Sequence, residues 1–395
     1  MEKGSVVVIG GCGHVGLPLA IALADKGVHV RSLDIDDEKI ALVNSGQMPF
    51  TENGAEQILK KTLADGSFLA TNDKQTISSS EFVVVVVGTP VDEHLNPDPE
   101  AIVRAFSEWK EYLVPGQLII LRSTVYPGVT NRVEKWVTEN APGVSVAFCP
   151  ERIAEGKAMT ELYSLPQIIG ARDSEVANRA QGLFEKMVSS TIQTTPEEAE
   201  LAKLFTNVWR YIKFAAVNQF YMMANDYDVD FENVRKAITF EYPRAQDMPS
   251  AGFAAGPCLF KDTMQLGAFS KNTFALGHSA MLVNEGLPLY VVDQMKKDFD
   301  LENMTIGILG MAFKPDVDDE RSSLSYKLRR ILLFQAKEVL CSDPYVKDER
   351  FVSQDELISR ADVIVIGTPH TDYKKLKFDK PVVDVWNMSA SGVVI

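Results

Sequence analysis

"SVVVIGGCGHVGLPLAIALADKG", residues 5–27, decides the fold. It opens on an apolar run of strand length, breaks at closely spaced glycines, and resumes as an Ala/Leu-rich stretch closed by Gly27. A run without polar alternation suits a strand buried on both faces, and Ala and Leu are strong helix formers. "VHVRSLDID" (28–36) reads as a second strand, "FVVVVVGTP" (82–90) as a third and "LIILRSTV" (118–125) as a later one. Strands alternating with helices imply a doubly wound parallel sheet. The pattern returns in "MTIGILGMAFKPD" (304–316), "EVLCSDP" (338–344), "ADVIVIGTP" (361–369) and "PVVDVWN" (381–387). The expected fold is therefore α/β, with two Rossmann-like doubly wound domains, at 1–195 and 300–395. Between them "TPEEAELAKLFTNVWRYIKFAAVNQFYMMANDYDVD" (195–230) has helical apolar spacing over many turns. Thr195 suits an N-cap, Pro196 the first helical position, and Glu197, Glu198 and Glu200 the positive helix end. A helix this long, with bulky residues on several faces, predicts a central helical domain at 196–299 that makes a homodimer.

Within the opening loop stand Gly11-x-Gly13-x-x-Gly16, with His14 and Val15 inside. In a dinucleotide site the first glycine makes the tight turn. The second lets the backbone approach a pyrophosphate, and the third lets helix and strand pack closely. The motif follows a strand, opens a helix and precedes Asp34 at the end of the next strand, the context such a site requires. A carboxylate at 34 bonds ribose hydroxyls and repels a 2′-phosphate, so NAD is expected rather than NADP. Thr89 and Pro90, ending the third strand, are expected on the same cofactor edge. The C-terminal loop "GMAFKPDVDDERSS" (310–323) lacks the second and third glycines and carries Lys314 and Arg321 instead. Cations in place of close backbone approach suit another phosphate ligand, such as a nucleotide diphosphate. Two solvated surface charges are the plainer alternative.

"GPCLFKD" (256–262) places a thiol behind a Gly-Pro. With Gly256 as N-cap and Pro257 at the first helical position, Cys258 falls in the first turn, where the helix dipole favours thiolate. Asp262, four residues on, shares its face and could handle protons, while Lys261 lies off it. A buried cysteine acting as a small hydrophobe is the competing account. Lys203 and Asn207 share a face of the long helix and make a donor pair suited to an oxyanion, or else a solvated lysine and an interface amide. "RSTVYPG" and "CPERIAEG" follow strands of the first unit at the edge where such sheets hold ligands. Thr124, Glu151 and Glu155 are candidates there, although Glu151 could equally pair with Arg152.

Composition narrows the class. The chain has 395 residues, 46% hydrophobic and 24% charged, enough for two or three cores. Its net charge of -14 argues against nucleic acid and anionic membranes as partners. The longest apolar run is strand length, against roughly 20 residues for a membrane helix, and no secretory signal is visible. Cys12, Cys149, Cys258 and Cys341 form no CxxC pair, and the five histidines lack ligand spacing, so neither a metal site nor disulfides are expected and the location is read as cytoplasmic.

Seven blocks in order resemble the nucleotide-sugar 6-dehydrogenases, which include the UDP-glucose, GDP-mannose and UDP-N-acetylhexosamine enzymes. They are GCGHVG at 11–16, "GTPVD…NPD" at 88–98, "STVYPG" at 123–128, "CPERIAEG" at 149–156, "AELAKLFTN" at 199–207, Cys-x-x-Lys-Asp at 258–262 and "FKPDVDDERSS" at 313–323. The resemblance implies oxidation of a sugar 6-hydroxymethyl to a carboxylate with two NAD in turn, supplying uronic acids for surface polysaccharide. It implies that Cys258 forms a thiohemiacetal and then a thioester, and that Lys203 and Asn207 stabilise oxyanions. Asp262 with Thr124 would transfer protons, with Glu155 near the hydrolytic water. Glu151, Arg152, Arg244, Phe253, Gly256 and Lys314 would lie on the substrate side, and Arg321 on the cofactor side. "CPER" looks more like the N-acetylhexosamine branch, whereas "AEG" resembles the UDP-glucose branch. "DVWN" (384–387) stands where many relatives have Asp-Gly-Arg. A two-electron hydroxyacid dehydrogenase would share the glycine loop and helical domain but need neither Cys258 nor a second nucleotide unit. A non-catalytic NAD-sensing dimer would leave Lys203, Asn207, Cys258 and Asp262 without a purpose.

Overall fold

The structure, a computed structural model, describes residues 2–88, 98 and 100–388. Among these, compactness divides the chain into two units, 1–205 and 206–395. The division falls inside the long helix Pro196–Asp226, ten residues beyond the 195/196 boundary read from the sequence.

The first unit is built on eight strands: β1 Glu2–Ile9, β2 Val30–Leu33, β3 Phe68–Thr71, β4 Ser80–Val85, β5 Leu118–Leu121, β6 Ser145–Phe148, β7 Gln167–Gly170 and β8 Thr191–Thr194. Their order is β3-β2-β1-β4-β5-β6-β7-β8. The order reverses between β1 and β4, and in such sheets ligands bind at the carboxyl ends of the strands flanking that switch. One departure from an all-parallel sheet is the antiparallel pairing of β6 with β7, through Phe148 and Gly170. Val6, Val7 and Val8 of β1 and Val83 and Val84 of β4 are fully buried, as strands covered on both faces must be. The helix Gly16–Asp25 packs against this sheet with nine of its ten residues buried.

The second unit carries β9 Thr305–Leu309, β10 Glu338–Ser342, β11 Val363–Ile366 and β12 Val382–Val383, all parallel, in the order β10-β9-β11-β12. Its helical part includes Leu259–Phe269 and Ala275–Asp298. The long helix starts with a capping box. Glu198 N–H donates to Thr195 Oγ1 at 3.3 Å, and Thr195 N–H donates to Glu198 Oε2 at 2.9 Å. Tyr211, Val217 and Tyr221 bury one of its faces, while Phe205, Trp209, Phe220 and Met223 stand exposed on another, continued by exposed Tyr227 just past the helix's last residue. Those five recur at three-, four- and eleven-residue steps, so they form one apolar stripe.

Candidate active site

The glycine loop divides its labour differently from the motif. The turn is made by Gly10, at φ +76°, which the sequence reading passed over. A Cβ there would lie 2.1 Å from the Val86 carbonyl, so only glycine lets β1 lie against the chain leaving β4. Gly11 is needed for packing, since a Cβ would meet the Ser32 hydroxyl at 2.6 Å. Gly16 is needed likewise, with the Gly10 carbonyl at 2.4 Å. Gly13 has no such constraint: a Cβ would meet only the Gly10 carbonyl, at 3.6 Å. Packing within the chain therefore does not account for glycine at 13. Asp34 is held beside the loop, its Oδ2 accepting from Cys12 N–H at 2.9 Å and its Oδ1 from Ile35 N–H at 2.8 Å. His14 stacks on Phe50 with ring centroids 4.1 Å apart, and Val15 sits at the N-cap of the following helix. Together these residues fit a dinucleotide. Thr89 and Pro90 lie outside the described residues.

The loop after β6 is fastened by carboxylates. Glu151 bonds the buried Arg122 guanidinium, and its Oε1 accepts from Arg152 N–H at 2.6 Å and Ile153 N–H at 2.7 Å. Glu151 is thus paired with Arg122; the Arg152 guanidinium instead donates to the Pro166 carbonyl. Glu161 accepts from Ala154 N–H at 2.6 Å. Glu52 accepts from Gly156 N–H and Ala158 N–H, each at 2.8 Å. Glu155 is carried on the segment these bonds fix. Thr124 lies half-buried in the loop after β5. The buried Glu200 ties that loop to the long helix, accepting from Gly128 N–H at 2.6 Å and from Thr130 N–H at 2.8 Å. Burial raises the pKa of Glu200 against the pull of these donors.

In the second unit the thiol sits two positions earlier in its helix than expected. The helix begins at Leu259, so Cys258 is its N-cap, and Gly256 and Pro257 precede it. The Cys258 carbonyl accepts the first helical bond, from Asp262 N–H at 2.9 Å. Asp262 is fully buried, and its Oδ2 accepts from Asn207 Nδ2 at 2.6 Å. Lys261, read as lying off this face, brings its Nζ to 3.8 Å from Asp262 Oδ1. Lys203 lies one turn before Asn207 on the long helix, and both are buried. Cys258 is exposed, whereas the other three thiols are buried. Burial pushes Cys12 and Cys149 up to about 12 and Cys341 up to about 11, which leaves them protonated and inert at neutral pH.

The remaining candidates fall in the same unit. Gly256, at φ +105°, lies under the Phe313 ring, which a Cβ would meet at 2.6 Å. The Phe253 ring is buried edge-on against Trp386, centroids 6.1 Å apart. Arg244 is exposed, its guanidinium 4.9 Å from the Tyr242 ring. Lys314 Nζ lies 5.8 Å from the Phe313 ring, and Arg321 Nε donates to Asp319 at 2.9 Å. Asp343, at the end of β10, is the counterpart of Asp34 but is used differently. Its Oδ2 accepts from Met311 N–H at 2.6 Å and Ala312 N–H at 2.9 Å, and lies 3.0 Å from His370 Nε2. Its Oδ1 accepts from Tyr345 and Val346 N–H at 2.8 and 2.9 Å. Burial alone would raise its pKa, yet the His370 and backbone bonds hold it at about 2. Because His370 Nδ1 accepts from Asp316 N–H at 2.9 Å, the histidine donates from Nε2. With its oxygens so engaged, Asp343 is not placed to take ribose hydroxyls as Asp34 is. Among the described residues no cluster suits a metal ion, and no helix is long and apolar enough to cross a membrane.

Comparison with known proteins identifies the family. Three models of the UDP-glucose/GDP-mannose dehydrogenase family match: the NAD binding domain at residues 5–188, the central domain at 197–285 and the UDP binding domain at 307–391. The UDP-N-acetyl-D-mannosamine dehydrogenase of Pyrococcus horikoshii is 31% identical over 387 residues, covering 94% of this chain and 91% of the relative. That of Methanocaldococcus jannaschii is 30% identical over 395 residues, covering 98% and 90%. Among solved structures, a UDP-glucose dehydrogenase from Pyrobaculum islandicum superposes with a TM-score of 0.90 at 26% identity, covering 98% of this chain and 94% of that one. A 3-hydroxyisobutyrate dehydrogenase from Mycobacterium tuberculosis, with a TM-score of 0.54 at 16% identity over 74% of this chain, shares the fold alone. The chain belongs to the UDP-glucose/GDP-mannose dehydrogenase family, and is an NAD-dependent oxidoreductase of nucleotide sugars.

Proposed function

We propose that the protein oxidises the C6 hydroxymethyl of a UDP-N-acetylhexosamine to the carboxylate through a covalent intermediate on Cys258. The observation that carries the mechanism is local: the one exposed thiol caps the helix whose first turn bears buried Asp262, itself bonded to Asn207 at 2.6 Å. The loop at Gly10–Gly16 and Asp34 would hold NAD, which would supply the hydride acceptor for each of two oxidations at C6. In the first, Asp262 takes the hydroxyl proton, with Thr124 and a water assisting. The Cys258 thiolate then adds to the aldehyde carbon, and Lys203 and Asn207 donate to the oxyanion of the thiohemiacetal. Loss of the second hydride leaves a thioester. Water, steered by Glu155, adds to it, and the C–S bond breaks to release carboxylate and thiol. The sum is one alcohol, one water and two NAD giving one carboxylate, two NADH and three protons.

The acetylhexosamine preference rests on the relatives, two of which are named UDP-N-acetyl-D-mannosamine dehydrogenases. The test is to supply NAD with UDP-N-acetylmannosamine, UDP-N-acetylglucosamine, UDP-N-acetylgalactosamine, UDP-glucose or GDP-mannose and to count NADH per sugar consumed. Two NADH with one acetylhexosamine is the expected result. One NADH per sugar would sink the four-electron route, and turnover of UDP-glucose alone would sink the acetylhexosamine assignment.

We also read residues 1–195, 196–299 and 300–395 as cofactor, dimerising and nucleotide-sugar domains of a cytoplasmic homodimer. The stripe Phe205, Trp209, Phe220, Met223 and Tyr227 supplies the apolar face that a second copy would cover. Sedimentation is expected to give twice the 43.7 kDa chain mass, and a monomer at micromolar concentration would refute the dimer.

A further inference from the structure

Asn218 lies in the middle of the long helix and is fully buried. Asparagine is a poor helix former, and a buried carboxamide costs free energy unless its groups are paired. Here they are. Its Nδ2 donates to the Gly252 carbonyl at 3.0 Å and to Asn284 Oδ1 at 2.9 Å, and its Oδ1 accepts from Gly252 N–H at 3.0 Å. The side chain thus grips both polar groups of one backbone residue, as a neighbouring strand would. Asn284, also fully buried, is fixed in turn by donating to the Tyr211 carbonyl at 3.1 Å.

Gly252 is closed from another side as well. Its φ is +151°, and a Cβ on it would lie 2.2 Å from the Trp386 ring. The Trp386 indole N–H donates to the Gly367 carbonyl at 3.2 Å, which fixes that ring. Four residues later the Phe313 ring covers Gly256. The two glycines that could act as hinges before Cys258 are therefore each held, one by an amide clamp and a ring, the other by a ring.

We infer that Asn218 is a positioning residue: through the Asn218–Gly252 clamp it sets where the loop delivers the Cys258 thiol. The inference rests on the proposed role of Cys258, and displacing a nucleophile by about 1 Å can cost roughly a hundredfold in rate.

The test uses Asn218→Ala and Asn218→Asp in the full-length protein, with thermal melting to confirm folding. Aspartate keeps the shape but cannot donate to the Gly252 carbonyl. Both variants are expected to lower kcat roughly tenfold to a hundredfold. KM for NAD should stay within about twofold, because Gly13 and Asp34 are untouched. The rate at which iodoacetamide alkylates Cys258 should shift about fivefold or more. A folded variant with both kcat and alkylation within twofold of wild type overturns the inference. Full turnover by Cys258→Ser would bring down the thiol's role instead, and alkylation would still report on the clamp. If neither variant folds, hydrogen exchange on the wild-type protein decides. The Gly252 amide should exchange about a hundredfold slower than an unbonded loop amide, and exchange at the unbonded rate overturns the clamp.

Discussion

Replacing Cys258 by serine is expected to lower steady-state turnover about a thousandfold, or about 4 kcal/mol of barrier, and to end the two-NADH stoichiometry. The reason lies in the difference between the two side chains. Serine fills the same space, so the helix cap at 258 and the Asp262–Asn207 bond remain. A serine hydroxyl is almost wholly protonated at neutral pH, whereas a few per cent of an ordinary thiol is already thiolate. The leaving group changes too: an oxygen ester releases its alkoxide far less readily than a thioester releases thiolate. No other cysteine can substitute, because Cys12, Cys149 and Cys341 are buried and held protonated. The check is stopped-flow NADH absorbance together with mass spectrometry of the protein. One NADH per site or less is expected, and two NADH per sugar at the wild-type rate would show that the thiol is a spectator.

How much of this was legible depends on where each constraint resides. The glycine loop was readable because its spacing is local: strand, turn and helix follow one another within residues 5–27. The misassignment inside it has the same origin. The motif starts at Gly11, but the turn residue at positive φ is Gly10, and the atom that excludes a side chain there belongs to Val86, remote in sequence. The cysteine helix was placed correctly to within about one turn. Its first residue depends on backbone angles at 256–258, which Gly-Pro restricts without fixing. The Glu151 pair went to Arg122 because a charge pairs with what the sheet brings near, and β5 lies beside β6. Least legible was Asn218. In the sequence it is one polar residue in an amphipathic helix, and its partners at 252 and 284 lie on two other segments. Trp386 is similar. As text, "DVWN" marked a missing arginine; in the fold its indole closes over Gly252.

Exchanging Asp262 for asparagine is the second large expected effect, with kcat reduced roughly a hundredfold to ten-thousandfold and stability kept. A buried carboxylate is costly unless paired, and Asp262 is fully buried with Asn207 donating at 2.6 Å and the Lys261 ammonium 3.8 Å away. Asparagine has the same shape, and the Asn207 carboxamide can turn to form an amide–amide pair, so removal of the charge leaves no cavity. Burial of a neutral amide costs less than burial of a charge, which offsets the weaker bond. The melting temperature should therefore stay within a few degrees while the acceptor for the C6 hydroxyl proton is gone. If Asp262 served only to hold Asn207, the isosteric amide would do nearly as well and kcat would fall by less than about threefold. Steady-state rates across pH, read beside a thermal melt, separate the two. A residual rate rising with pH, as hydroxide replaces the missing base, identifies Asp262 as the proton acceptor; a flat profile at near wild-type rate identifies it as a strut.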